Sequence, residues 1–419
     1  MKILFICPAF PPQSDVGGIR VAYFAKYFSE FGWDVKVITR VYRNENDVIK
    51  SRFDFNLYPF MDNNVLRIFD SDKDNNDYLN KRNYSKLVRD FFNPEYSSPP
   101  GFLDKALIKA FNEYNKIKFD VVVASLPDNW CLTLGEKISK ENDAIFITDF
   151  RDIYEQDSYD KSLRTRLQVF RFKIGRFYRT RNAKFFSTVS SYMYDILSSK
   201  LKKRGVIIFN GYDNDSFYPL ELSNKGSHLP LIITYTGRLL NSWFRNPEIL
   251  FKAISELNKE GLISKGDLQI KFFGSELNIL EKYIDDLNKD FIIVNEIINA
   301  SEINFIINSS DYTLIINNVG PKGVLTTKLF ESLGIGKKVV VIPGDKHELD
   351  ALVSNENYGY VLSKISEVKK FLLKNINDKK NGISIDNSII PPIKFSRKYQ
   401  AKLLSDFIIN NYLENSIHN

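Results

Sequence analysis

The chain is poor in the residues that build metal and disulfide chemistry. Its 419 residues include two cysteines, Cys7 and Cys131, and three histidines, His228, His347 and His418. Two cysteines make no disulfide framework and are expected as buried free thiols. No two histidines stand at ligand spacing, so no zinc site is expected. No apolar run reaches the roughly 18 residues that a membrane-spanning helix needs. The apolar start, Ile3–Cys7, runs into Pro8, Pro11 and Pro12, too early for a secretory leader. A cytoplasmic protein is the resulting expectation.

Charge of one sign is missing from one place. The net charge of +7 is mild for this length, but Lys161–Lys184 holds nine Lys or Arg and no Asp or Glu. Leu167, Phe170, Phe172, Ile174 and Phe177 are interleaved with the cations. Such a basic amphipathic helix can lie on an anionic membrane surface. The plainer alternative is a helix with core-facing rings and solvated cations. No nucleic-acid-binding module is legible, so no nucleic-acid partner is expected.

The rest is a succession of short Ile-, Val- and Phe-rich runs and longer helix-period stretches. Strands are expected at Lys2–Cys7, Val35–Thr39, Val121–Ser125, Ile145–Asp149, Phe185–Val189 and Ile207–Asn210. The pattern restarts with Leu231–Thr236, Ile270–Gly274, Phe291–Val294, Tyr312–Ile316, Lys338–Ile342 and Tyr358–Leu362. Between the first strands, Val21, Phe24, Ala25, Phe28 and Phe31 share one helical face. Repeated βα units predict two doubly wound parallel-sheet domains. The expected division is 1–219, a linker at 220–230, a second domain at 231–392, and a C-terminal helix at 393–419 that crosses back toward the first domain. Residues 42–100 read as an insertion.

Open α/β sheets bind ligands outside the carboxyl ends of their strands, so the strand ends carry the functional reading. The first βα junction holds Gly17-Gly18 just ahead of a helix, a place for close backbone approach to a phosphate. It lacks the G-x-G-x-x-G of dinucleotide-binding folds. Ile147-Thr148-Asp149-Phe150-Arg151-Asp152 puts two carboxylates and a guanidinium at a strand end. In the second half, Thr236-Gly237-Arg238 closes a strand and Arg245 follows; two Arg forks at such a loop can clamp a diphosphate. Glu331 sits on a helix that begins near Thr326–Lys328. A carboxylate there can accept from two vicinal hydroxyls, and the helix start offers free N–H groups to phosphate. Asp213-Asn214-Asp215 is a D-x-D triplet on an Asn-Gly turn and is assigned no metal.

These motifs, in this order, resemble glycosyltransferase family 4. The resemblance rests on the Pro-containing loop with Gly17-Gly18, on Gly32-Trp33-Asp34-Val35-Lys36-Val37-Ile38, on Asp149-Phe150-Arg151-Asp152, on the strand end Thr188-Val189-Ser190, on Asn210-Gly211-Tyr212-Asp213 with Phe217 and Pro219, and on the helix carrying Glu331. It implies a GT-B fold with two Rossmann-like domains facing a central cleft. It also implies a retaining, metal-independent hexosyltransferase without cofactor, taking a nucleotide-diphosphate sugar to a glycan or lipid-linked acceptor in cell-surface polysaccharide assembly. Donor contacts carry over to Gly17, Gly18, Arg238, Arg245, Thr327, Lys328 and Glu331; Asp149, Arg151 and Asp152 carry over as catalytic-site residues. The sequence departs from the family at Gly323, where the first glutamate of an E-x7-E pair belongs. That departure keeps open a non-catalytic GT-B protein that binds a nucleotide or partner; a nucleotide-sugar epimerase on the same fold is a separate alternative, and the catalytic His or acid pair it needs is not found in the sequence. A position at the inner face of the cell membrane is expected if the acceptor is lipid-linked.

Overall fold

The computed structural model of the chain describes residues 1–11, 16–41, 64–69, 110–114, 116–153, 155–156, 163–221, 230–239, 245–298, 300–317 and 322–417. The chain divides into two compact units: Met1–Phe209 with Arg397–Asn419, and Asn210–Ser396.

The first unit is a parallel sheet of seven strands: β1 (Lys2–Cys7), β2 (Asp34–Val41), β3 (Val65–Phe69), β4 (Val121–Ser125), β5 (Ile145–Phe150), β6 (Phe185–Thr188) and β7 (Gly205–Ile207). Their order in the sheet is β3-β2-β1-β4-β5-β6-β7. Its helices include α1 (Val16–Glu30), α2 (Asn129–Asn142), α3 (Leu163–Thr180) and α4 (Ser191–Leu201). The strand order reverses between β1 and β4, which makes the carboxyl ends of that pair the ligand-binding crevice expected of a doubly wound sheet.

Helix α1 forms because Val21, Phe24, Ala25 and Phe28 recur at helical spacing, and all four are buried on one side of the sheet. Phe5 of β1 meets Phe24 at 6.2 Å and Phe28 edge-on at 5.5 Å. The helix stops at Gly32, whose φ of +86° suits a residue without Cβ. There Gly32 N–H bonds Ser29 O and Trp33 N–H bonds Phe28 O, the paired bonds of a Schellman end.

The second unit has six parallel strands: β8 (Leu231–Thr236), β9 (Leu268–Phe273), β10 (Ile292–Asn295), β11 (Tyr312–Ile315), β12 (Val339–Val341) and β13 (Gly359–Val361). They run in the order β10-β9-β8-β11-β12-β13, with the reversal between β8 and β11. Its helices include α5 (Glu248–Lys259), α6 (Leu277–Leu280), α7 (Ala300–Ser309), α8 (Thr327–Gly334), α9 (Glu348–Asn355) and α10 (Ile365–Lys380). Its core gathers Tyr235, Phe251, Phe272, Tyr312 and Phe371. Helix α11 (Arg397–Ile417) belongs to the first unit. Its buried Ala401, Leu404 and Ile408 join the core that contains α1. Trp33 Nε1 donates to Ser405 Oγ at 3.1 Å.

The architecture is the expected pair of doubly wound parallel sheets, with several strand and domain bounds displaced. Strand β3 falls inside the stretch read as an insertion; it pairs along β2 as the edge strand, where a single neighbour suffices and the apolar signal is short. Strand β7 begins two residues earlier than expected, at Gly205, which pairs with Phe186 and whose Cβ would lie 2.3 Å from that ring. The segment Asn210–Leu220, read as the end of the first domain, belongs to the second unit. Tyr212 N–H bonds Phe395 O, and Leu220 N–H bonds Asn308 Oδ1. Residues 222–229 of the expected linker, and most of 42–100, lie outside the described residues.

Helix α3 corrects the reading of its basic face. Arg176 is buried and donates to both oxygens of Glu155, at 3.0 and 2.8 Å, while Arg179 and Thr180 are buried beside it. Leu167, Phe170 and Phe177 are more than half exposed. The Phe172 side chain lies outside the described residues. Burial pushes the Glu155 carboxyl up, but the bonds and charge of Arg176 outweigh it and hold the pKa at about 2. A depressed folded pKa contributes stability that is present above the unfolded value of roughly 4.3 and is lost as pH falls toward the folded one. Acid titration of the melting temperature is therefore expected to drop between about pH 4.3 and pH 2, and Glu155→Gln to flatten that drop. An unchanged acid limb in Glu155→Gln would contradict the pairing.

Candidate active site

In the first unit the residues meet at the carboxyl ends of β4, β5 and β6. The parallel register aligns Ser125, Asp149 and Ser187 across the three strands. In-register neighbours present side chains on the same face, and here all three are polar. Ser125 Oγ donates to Asp149 Oδ2 at 3.0 Å and Ser187 Oγ donates to Oδ1 at 2.8 Å. Arg20 of α1 closes the cluster: Nε lies 3.2 and 3.1 Å from the two oxygens, and Nη2 is 3.0 Å from Oδ1. Its Nη1 reaches Ile208 O at 2.8 Å.

Asp149 is thus fully buried with both oxygens occupied. Burial alone pushes its carboxyl up; Arg20, then Ser187, overcome this and bring the pKa below the ordinary value. Asp149, expected to contact a reacting group, has its side chain buried from solvent in this structure and is held by Arg20, Ser125 and Ser187. Arg151 is half-buried and donates Nε to Leu126 O at 2.7 Å. Asp152 is exposed; the protein around it raises its carboxyl pKa, and Arg151 opposes the rise. Of the three residues, Arg151 and Asp152 are the two whose side chains reach the surface.

The glycine pair lies in the first turn of α1 rather than ahead of it. A Cβ on Gly18 would sit 2.9 Å from the carbonyl carbon and oxygen of Ala9. Gly18 therefore lets α1 start against the backbone of the preceding loop. Residues 12–15 of that loop lie outside the described residues.

In the second unit the site gathers around the end of β8. Gly237 turns the chain with φ +111°, and its N–H bonds Phe273 O at 2.7 Å. Arg238 follows, with its Nε 2.7 Å from Glu276 Oε1, while Glu276 Oε2 accepts from Leu239 N–H at 2.8 Å. Arg245 donates to Arg238 O, as does the Tyr235 hydroxyl at 2.9 Å. Lys328 Nζ stands 5.1 Å from the Tyr235 ring centroid, within cation–π range. Arg238, Arg245 and Lys328 are in this way tied to one strand end. Residues 240–244 lie outside the described residues. Sequence reasoning missed Glu276 and Tyr235; Glu276 follows the end of β9 next door, and parallel neighbours end at the same edge.

Helix α8 follows β11 across the strand-order reversal, so its N-terminus belongs to the crevice side of the sheet. Among the described residues its N-cap Thr326 makes no side-chain capping bond and the buried Thr326 Oγ1 has no partner. Thr327, Lys328 and Glu331 fall at i, i+1 and i+4, which sets Thr327 and Glu331 on one face. Glu331 is half-buried, and among the described residues its carboxylate makes no hydrogen bond and no ion pair. Gly323 has φ +68°, in the region that favours glycine. A glutamate would be strained at this backbone. The D-x-D triplet is a turn: Asp213 is fully buried and accepts from Ser216 Oγ at 3.1 Å. Among the described residues, no group of three or more His, Cys, Asp or Glu is placed to hold a metal ion.

No family model and no curated sequence relative matches the chain. Solved structures do. The chain is similar to sucrose-phosphate synthase from Thermosynechococcus elongatus, with TM-score 0.64, 14% identity, and coverage of 99% of this chain and 100% of that one. It is similar to Anabaena HepE in complex with UDP-glucose, with TM-score 0.60, 14% identity, and 98% and 100% coverage. It is also similar to a putative UDP-N-acetylglucosamine 2-epimerase from Listeria monocytogenes, with TM-score 0.52, 11% identity, and 99% and 97% coverage. At these identities the likeness shows the two-Rossmann GT-B fold.

The buried pair predicts an asymmetric mutational response. Arg20→Met leaves the Asp149 carboxylate buried and unpaired and is expected to cost about 3–5 kcal/mol in chemical denaturation. Adding Asp149→Leu should restore part of that loss, since an apolar pair of similar volume can replace a buried ion pair. Equal losses in the single and double variants would contradict the pairing.

Proposed function

We propose that the chain is a glycosyltransferase that binds a nucleotide-diphosphate sugar in its second unit. The observation that carries the reading is the half-buried Glu331, without a partner among the described residues, one turn from the N-terminus of α8, with Lys328 on the same helix. A carboxylate without an internal partner suits ribose hydroxyls, and a helix N-terminus beside a cation suits a diphosphate. Arg238 and Arg245 are the further cations for that diphosphate, and a nucleotide would compete with Glu276 for Arg238. The similarity to HepE, solved with UDP-glucose, supports the same donor class here.

The finer proposal follows the resemblance to family 4: a retaining, metal-independent hexosyltransferase of polysaccharide biosynthesis acting on a glycan or lipid-linked acceptor at the cytoplasmic side. Arg151 and Asp152 contact the transferred sugar or the acceptor hydroxyl, and Asp149 with Arg20 positions the strand end that bears them. In a front-face displacement the departing phosphate oxygen takes the acceptor proton, so no dedicated carboxylate base is needed. Arginines, Lys328 and helix N–H groups meet the charge on the leaving diphosphate in place of a divalent cation. A second reading, a nucleotide-sugar epimerase on the same fold, draws support from the similar epimerase structure.

Glu331→Ala is expected to weaken nucleoside-diphosphate binding by about 1–3 kcal/mol in calorimetry, with the melting temperature of the free protein little changed. Unchanged affinity would remove the donor-site assignment. Turnover is expected to persist in EDTA, with retention at the anomeric carbon by NMR. Activity that vanishes in EDTA and returns with Mg²⁺ or Mn²⁺ would contradict metal independence, and an inverted product would contradict front-face displacement.

A further inference from the structure

A helix on the surface of a globular protein ordinarily turns its apolar side inward and its charges outward. Helix α3 does the reverse over much of its length. Its inward side carries two arginines, Arg176 and Arg179, both buried, with Arg176 locked on Glu155. Its outward side carries Leu167, 55% exposed, Phe170, 61%, Phe177, 60%, and Tyr178, 58%. Positions 167, 170, 177 and 178 fall within about 100° of one another at 3.6 residues per turn. They form a single stripe, and Phe177 and Tyr178 meet edge to face at 5.8 Å. Arg166, exposed, and Lys173, half-buried, run along one border of the stripe.

Four large apolar side chains on one exposed helical face are more than scattered surface residues, and a contiguous patch of this kind marks an interaction site. The charge pattern says what covers it. Arg166 and Lys173 line that border, and the sequence from Lys161 to Lys184 has no acidic residue to offset them, so the described border of the stripe is positive. Aromatic rings between cations match a bilayer interface, where rings sit at the acyl boundary while Lys and Arg extend to the headgroups. An anionic headgroup layer attracts that border at a distance, in a salt-dependent way.

We infer that the outward face of α3 docks the protein on an anionic lipid bilayer, with Phe170 and Phe177 inserting and Arg166 and Lys173 meeting the headgroups. No helix among the described residues is long and apolar enough to cross a membrane, so attachment is peripheral and reversible. Arg176 takes no part; its bond to Glu155 fixes the helix so that the rings face outward. If the acceptor is lipid-linked, this face would bring the first unit to it.

The test is co-sedimentation of the full chain with two kinds of vesicle, phosphatidylcholine alone and phosphatidylcholine mixed with phosphatidylglycerol. It needs neither donor nor acceptor, so its failure is separate from failure of the transferase reading. Binding is expected with the mixed vesicles only and is expected to weaken in high salt. The double substitution Phe170→Ser with Phe177→Ser should lower the partition coefficient by about tenfold or more, since each ring buried from water is a large apolar contribution. Arg166→Glu with Lys173→Glu should abolish the preference for phosphatidylglycerol. Both pairs lie outside the core, and their melting temperatures should match the parent. Equal recovery in the supernatant with both lipids would overturn the inference, as would undiminished binding after loss of both rings. A dimer in light scattering that the double Phe substitution dissociates would overturn it in favour of a self-association face.

Discussion

The ion pair between Arg20 and Asp149 is the constraint on which the first unit is organised. Both groups are buried, so neither can be removed alone without leaving an unpaired charge in the core. One guanidinium and one carboxylate gather α1, the ends of β4, β5 and β6, and the carbonyl of Ile208. The next peptide, Phe209 N–H, is held by Gln400 of α11 at 2.8 Å. Arg151 and Asp152 leave β5 immediately after this knot, so the position of the surface groups follows from that of the buried one. Placing a guanidinium at the head of α1 also requires the helix to start hard against the loop, and Gly18 permits it.

Much of this was legible in the sequence. Parallel strands buried on both faces read as continuous apolar runs, and β1, β4, β5 and β8 stood where those runs predict. The strand-end residues were visible because doubly wound sheets place ligands at such ends. What the sequence concealed was direction. Asp149 and Asp152 are three residues apart and equally acidic, yet one is sealed and the other exposed. The difference lies in the register that brings Ser125 and Ser187 alongside Asp149, a pairing between distant segments. Phe170 and Phe177 looked like core for a similar reason. Periodicity shows that a helix has an apolar stripe, but Glu155 decides which side faces the protein by capturing Arg176. Strand β3 was missed because an edge strand of five residues carries little signal inside a polar stretch.

In the second unit the contrast between Glu276 and Glu331 organises the site. Glu276 is spent on Arg238 and on the Leu239 N–H, and so defines the loop after β8. Glu331 is spent on nothing among the described residues, while half-buried on a helix that begins at the strand-order reversal. Gly323 bends the backbone ahead of the same helix through a conformation that suits glycine.

The central claim is transfer from an activated sugar to an acceptor, and coupling between donor consumption and acceptor tests it most directly. Purified protein would be incubated with a panel of nucleotide-diphosphate sugars, with and without a membrane and glycan extract, while released nucleoside diphosphate and free or epimerised sugar are followed. The account predicts diphosphate release from one donor that depends on the extract, with the sugar recovered in a glycan or lipid product. Donor conversion at the same rate without extract, giving free or epimerised sugar, would contradict it.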